Sequence, residues 1–111
     1  MKHITLAVLA LVGTPAPALA TDCKAKETQD WTDSYRNSTL LLPSDRFSRA
    51  ANMLRGEMMV HTADILMRKG CLDEADELFR LALSRYDDPE FEGIRDQAKV
   101  GIDDVRAARR R

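Results

Sequence analysis

The feature that most constrains the fold is an apolar pattern in the segment 70–86. Its apolar residues recur at intervals of three and four: Ala75, Leu78, Phe79, Ala82, Leu83 and Tyr86. This spacing places side chains on one face of a helix, so the segment predicts an amphipathic helix of about three turns. Gly70 before it and Pro89 after it are typical helix boundaries. Because such a helix buries only one face, neighbouring helices have to cover that face.

The first twenty residues have the pattern of a secretory signal peptide. Lys2 precedes an apolar run over residues 4–12, and small residues follow up to Ala20. The run is shorter than the roughly 20 apolar residues that span a bilayer, so the sequence predicts no membrane span. Cleavage after Ala20 gives a signal peptide at 1–20 and one small domain at 21–111, periplasmic or secreted.

Cys23 and Cys71 are the two cysteines of the chain. In an oxidising compartment, two cysteines and no others predict one disulfide bond. It would close a loop of nearly fifty residues, which contributes about 4 kcal/mol in the chain-entropy model. The alternatives are two free thiols and a redox pair, but reactive dithiols usually occur as Cys-x-x-Cys.

The charge balance argues against a nucleic-acid partner. Without Lys2 the chain keeps sixteen basic and eighteen acidic residues, a net charge of about −2, whereas a nucleic-acid-binding domain needs a basic face. The acids at 87–92 lack the ligand spacing of a calcium loop and are explained by a helix start. No catalytic motif is present. The sequence therefore predicts a protein that is not an enzyme and uses no cofactor.

Three further segments predict helices, at about 24–36, at about 45–69 and from Pro89 to about Ala108. The second of these is expected to begin after a cap at Ser44 and to bury an apolar stripe. That stripe comprises Phe47, Ala50, Ala51, Leu54, Met58, His61, Thr62, Ile65 and Leu66. No segment predicts a strand. The sequence therefore predicts an all-α fold, an antiparallel array of about four helices.

A pattern of small and large residues crosses the central turn. Its members are Ala63, Leu66, Gly70, Asp73, Glu74, Ala75, Phe79, Ala82, Leu83 and Pro89. This pattern resembles a single tetratricopeptide repeat over residues 59–90. It departs from the family at Met59, where a larger aromatic is common, and at Ala63, which replaces the glycine of the first helix. A second full copy is absent.

The resemblance implies a protein–protein interaction module, for example an accessory subunit of an envelope or secretion assembly. In that family a peptide or partner helix lies on the concave face of the first helices. Helix geometry places the corresponding partner-binding residues at Arg55, Met59, Thr62 and Met67. Association of the chain with itself is left open.

A second interpretation, from a different class, is a small periplasmic metal- or ligand-binding protein. Met58 and His61 lie one helical turn apart, and thioether and imidazole groups suit Cu(I). Against this, methionine is a common gap-filler in helical cores. His61 is also consistent with a half-buried histidine at the edge of the core.

Overall fold

The computed structural model describes residues 22–42 and 45–111. The predicted signal peptide and the predicted cap Ser44 lie outside this range. A short 3-10 turn, Asp22–Lys24, is followed by α1 (Lys26–Arg36), α2 (Arg46–Arg68), α3 (Leu72–Arg85) and α4 (Glu92–Arg109), with a second 3-10 turn, Pro89–Phe91, before α4. The described part of the chain contains no strand, so the predicted all-α fold is confirmed.

The α2–α3 turn is built around Gly70. Its φ of +88° lies in the left-handed region, where only glycine is free of steric penalty. The Gly70 amide donates to the Met67 carbonyl at 3.0 Å, and the Cys71 amide donates to the Leu66 carbonyl at 2.9 Å. This pair of bonds satisfies the last carbonyls of α2 and reverses the chain, so that α3 runs back along α2.

The predicted apolar face of α3 forms the centre of the core. Ala75, Leu78 and Ala82 are fully buried, and Phe79 is 2% exposed. Residues of α2 and α4 cover this face from two sides, and those two helices also contact each other. Tyr86 is fully buried just after the end of α3 and meets the ring of Phe91 edge-on, with the centroids 5.2 Å apart.

Helix α1 lies along α3 and runs in the same direction. Its start is joined to the start of α3 by the Cys23–Cys71 disulfide, with the Cα atoms 5.3 Å apart. At the other end, the Arg85 guanidinium donates to the Tyr35 carbonyl at 2.7 Å. The Thr62 hydroxyl of α2 bonds the Tyr35 hydroxyl at 3.1 Å. The predicted pairing of the two cysteines is therefore present, and α1 covers the joint between α2 and α3.

The predicted buried stripe of α2 is wrong for five of its nine residues, which are exposed, whereas Thr62 and Leu66 are buried as predicted. Phe47 is 87% exposed, Leu54 is 60% exposed and Met58 is 49% exposed, while His61 also lies at the surface rather than half-buried. The buried positions of α2 are instead Asn52, Gly56, Met59, Val60, Thr62, Ala63 and Leu66.

Helix length explains the exposure of Phe47. Helix α2 has 23 residues and α3 has 14, which corresponds to lengths of about 34 Å and about 21 Å. Because α3 runs back from Gly70, it covers only the second part of α2. The first part projects past the end of α3, and within the described residues its apolar side is bordered only by the end of α1 across an open cleft.

Met58 and His61 instead lie beside the buried residues Met59 and Thr62. Their exposure shows that the core-facing side of α2 is rotated from the predicted stripe.

Two glycines mark the places where helices approach most closely. A Cβ at Gly101 would lie 2.3 Å from Cε1 and Cζ of Phe79, and a Cβ at Gly56 would lie 2.5 Å from Cδ1 of Ile94. Because Gly101 has no side chain, the buried ring of Phe79 can lie against the backbone of α4. Gly93, also in α4, has no such neighbour within 4 Å.

We expect Gly101→Ala to lower the free energy of unfolding by about 1–2 kcal/mol. The overpacking of a filled core costs about 1–3 kcal/mol, and the better helix propensity of alanine returns at most about 1 kcal/mol. Gly93→Ala is the matched control, which we expect to be neutral or stabilising by up to about 1 kcal/mol. Urea unfolding followed by circular dichroism measures both variants, and equal stability of the two would contradict the close approach.

Candidate functional site

The first candidate is the corner at which α1 meets α3. Cys23, Cys71 and Glu74 bring their ligand atoms within 4.8 Å of one another, and within the described residues no other group of His, Cys, Asp or Glu side chains is so placed. The two sulfurs are bonded to each other. The Glu74 carboxylate, 4% exposed, accepts from Lys24 Nζ at 2.9 Å and from Gln29 Nε2 at 3.2 Å. These bonds occupy the groups that a metal would need, so the corner is a structural joint.

Burial by itself raises the pKa of Glu74, but the bonds that it accepts have the larger combined effect. The Lys24 ammonium, the backbone N–H of Glu74 and the Gln29 amide all favour the ionised carboxylate. The pKa of Glu74 consequently lies below its ordinary value of 4.5. Gln29 also donates to the Cys23 carbonyl at 2.7 Å, which links the carboxylate to the disulfide.

The second candidate is the uncovered part of α2. We define the apolar stripe as Phe47, Ala51, Leu54 and Met58, which follow one another at intervals of four, three and four along one side of the helix. The segment 40–42 packs on another side of the same stretch of α2, because the buried Asn52 accepts from the Leu41 amide at 2.9 Å and donates to the Leu41 carbonyl at 2.8 Å.

This region collects most of the exposed apolar surface. The described residues contain eight exposed large hydrophobic side chains, and six of them lie in the stripe or in the segment 40–42. The six are Leu40, Leu41, Leu42, Phe47, Leu54 and Met58. Single exposed hydrophobics are normal on a protein surface, but a cluster of them is a candidate interaction surface.

Arginines accompany the stripe, but Arg49 lies on the opposite side of the helix from Phe47 because it follows two residues later. We define the α2 arm as residues 46–55, which carry the exposed residues Arg46, Arg49 and Arg55. Arg46 and Arg49 form no ion pair within the described part of the chain. Arg55 donates to the Thr39 carbonyl at 3.4 Å. The arm is thus a helix end with an apolar side and an excess of positive charge, which the N-cap Asp45 offsets only in part.

The third candidate is a groove between α2 and α4, with a volume of about 440 Å³. Its floor is apolar and includes Val60, Phe79 and Gly101. Its rim is acidic, and three carboxylates belong to it: Asp64, Asp96 and Asp104. Asp64 pairs with Arg68 at 3.0 Å, but Asp96 and Asp104 have no ion-pair partner in the described residues.

The structure separates the residues that the sequence proposed for partner binding. Arg55 is exposed and Met67 is partly buried, whereas Met59 is 0% exposed and Thr62 is 3% exposed. A partner docking on the surface cannot reach Met59 or Thr62 unless the helices separate. We therefore assign these two residues to the core and not to a binding face.

Met58 and His61, the metal ligands of the alternative interpretation, line different clefts. Met58 lines a cleft of about 520 Å³ beside the end of α1, together with Tyr35 and Leu54. His61 lines the groove on the α4 side. The two side chains thus border different clefts.

Sequence reasoning missed the two surfaces that stand out. The sequence shows the arginines of the arm between the residues of the stripe. It also shows the apolar period of the stripe, but that period predicts a buried face, so the stripe is not expected at the surface. The groove combines residues of α2, α3 and α4 that lie up to about forty positions apart. No local spacing brings Val60, Phe79 and Asp104 together.

The chain is thus a small helical-array protein with an α-helical hairpin flanked on both sides. Comparisons with protein-family models, with curated proteins and with solved structures give no match. None of the helices in the described residues is both long and apolar enough to cross a membrane.

The neighbouring methionines of α2 test which of its faces is core. We expect Met59→Ala to lower the free energy of unfolding by about 2–5 kcal/mol, because it leaves a cavity at a fully buried site. Met58→Ala removes a side chain that is half in water, so we expect a loss below about 1 kcal/mol. Chemical unfolding of the two variants measures the difference. Equal losses would mean that the stripe is buried.

The lowered pKa of Glu74 predicts how stability depends on pH. The ionised carboxylate stabilises the fold above its unfolded-state pKa of 4.5, and this contribution is lost as the pH falls through the lower folded-state value. Glu74→Gln cannot ionise, so we expect it to be less stable than the parent at pH 7 by about 1–3 kcal/mol.

The gap between parent and Glu74→Gln should close as the pH falls below 4.5. Unfolding of both proteins in urea across the acid range measures it. Asp103→Asn, at an exposed position of α4, is the control and should show a much smaller gap. A gap at Glu74 that stays constant with pH would contradict the stabilised carboxylate.

Proposed function

We propose that this protein is an exported protein–protein interaction module, periplasmic or secreted, that contacts its partner through the apolar stripe of α2. The observation that carries the proposal is the exposure of Phe47, Leu54 and Met58 at helical spacing. Side chains at such intervals are the anchors with which an amphipathic helix enters an apolar groove.

Burial of the stripe against a partner is favourable in free energy. Full burial of one large apolar side chain contributes about 1.5–3 kcal/mol. Phe47 and Leu54 keep most of their surface in water in the isolated molecule, so that contribution is available to an interface. Aromatic and arginine side chains, such as Phe47 and Arg49, are also the residue types enriched in interfaces.

The proposal includes the tetratricopeptide-like character of the α2–α3 hairpin. Small residues at its helix contact support it, because Ala63, Ala75 and Ala82 are all 0% exposed. In this view α1 and α4 act as flanking helices of a single repeat. A single repeat offers too short a surface for an extended peptide, which fits a compact role such as an accessory subunit of an envelope or secretion assembly.

Export is the remaining part of the proposal. It is supported by the predicted signal peptide and by the Cys23–Cys71 pair, which is compatible with an oxidising compartment.

Site-specific photocrosslinking in the host tests the interaction. We place the photoreactive residue at position 47, in the stripe, and at position 99 as the matched control. Lys99 is exposed on α4 and lines none of the clefts described above. We expect a defined protein adduct from position 47 and none from position 99. No adduct at position 47, or equal labelling at both positions, would contradict the proposal.

A further inference from the structure

We propose that the protein docked by the α2 arm is a second copy of this chain, with the arm of one molecule seated in the α2–α4 groove of the next. The inference rests on the proposed function and names the partner. Each molecule then offers one arm and one groove, and the contact is head-to-tail.

The charges of the two surfaces are complementary. The arm presents Arg46 and Arg49, which have no ion-pair partner in the described residues. The groove presents Asp96 and Asp104 on its rim, and neither carboxylate forms an ion pair within the described residues. Complementary charge of this kind steers the encounter and fixes its register.

The apolar parts match as well. Phe47, 87% exposed, stands between the two arginines in sequence. The groove has an apolar floor at Val60 and Phe79, and Val100 on its edge is 60% exposed. A volume of about 440 Å³ lies within the range of sites that enclose ligand-sized groups. Phe47 of one molecule therefore has a cleft of suitable size and polarity on another.

The contact has to form between molecules. The arm and the groove residues Val60 and Asp64 belong to the same unbroken helix, Arg46–Arg68. The arm cannot fold back onto the groove of its own chain without breaking that helix. Since the two surfaces are different patches, the contact is heterologous, and repetition gives a ring or a filament.

An anionic membrane surface is the other occupant that a basic, apolar helix end suits. It would use the arm but would leave the acidic groove without a function. A second copy accounts for both surfaces with residues of one chain, and for this reason we favour it.

Charge reversal with mixing tests the inference on the full chain with its disulfide formed. The arm variant carries Arg46→Glu and Arg49→Glu, and the groove variant carries Asp96→Lys and Asp104→Lys. All four side chains are exposed, and circular dichroism verifies that both variants fold. Lys99→Glu is the control for a charge change elsewhere on the surface.

We expect the mean mass of the parent and of Lys99→Glu, measured by sedimentation equilibrium, to rise with protein concentration. The rise should be smaller at high salt, which screens the charges. Each charge-reversed variant alone should associate at least about tenfold more weakly, because its arm and groove then repel. An equimolar mixture should regain association, since each arm meets a groove of opposite charge.

Three results would overturn the inference. The first is a parent that remains monomeric up to about 1 mM, where binding is already very weak. The second is a groove variant that associates as well as the parent, which indicates arm-to-arm pairing. The third is an equimolar mixture that stays monomeric. Binding of the parent to anionic vesicles together with a monomeric parent would assign the arm to lipid. A position-47 adduct that contains a different protein, with a monomeric parent, would overturn this inference and leave the proposed function intact.

Discussion

The packing of α3 between α2 and α4 is the constraint on which the rest of the structure depends. Leu78 and Ala82 are fully buried there, and Phe79 reaches α4 because Gly101 has no side chain. This contact orients α2 and α4 together, since both are fitted to the same helix. It also fixes what is left uncovered, because α3 is nine residues shorter than α2.

A covalent joint and a polar joint hold α1 to this three-helix unit. The disulfide fixes the 3-10 turn that precedes α1, and Glu74 extends the attachment through Lys24 and Gln29. At the far end Arg85 donates to backbone carbonyls of α1. A short helix with little apolar surface gains little free energy from packing. It can remain docked when both of its ends are held, because these attachments offset the conformational entropy that is lost when the helix is ordered.

The sequence predicts a buried face correctly where the apolar pattern of a helix coincides with a neighbouring helix that covers it. For α3 the apolar period and the existence of covering helices both held, so its buried face was predictable. For α2 the period was real, but it reports which residues share a face and not whether another helix lies against that face. The neighbouring residues Met58 and Met59 show the limit: Met59 is buried and Met58 exposed because the side of α2 that carries Gly56 faces the other helices, and that choice of side is not a local property of α2.

The rigidity of α2 connects the two unoccupied surfaces. The arm and one wall of the groove are parts of a single helix, so the angle between them is set by its continuous hydrogen bonding and by the packing at Gly56. In the proposed head-to-tail contact every added copy would repeat the same rotation, which makes the product a regular ring or filament and not an irregular aggregate. The arginines have a second physical role in this arrangement. They repel arms from one another and so disfavour the arm-to-arm pairing that an exposed apolar stripe would otherwise permit.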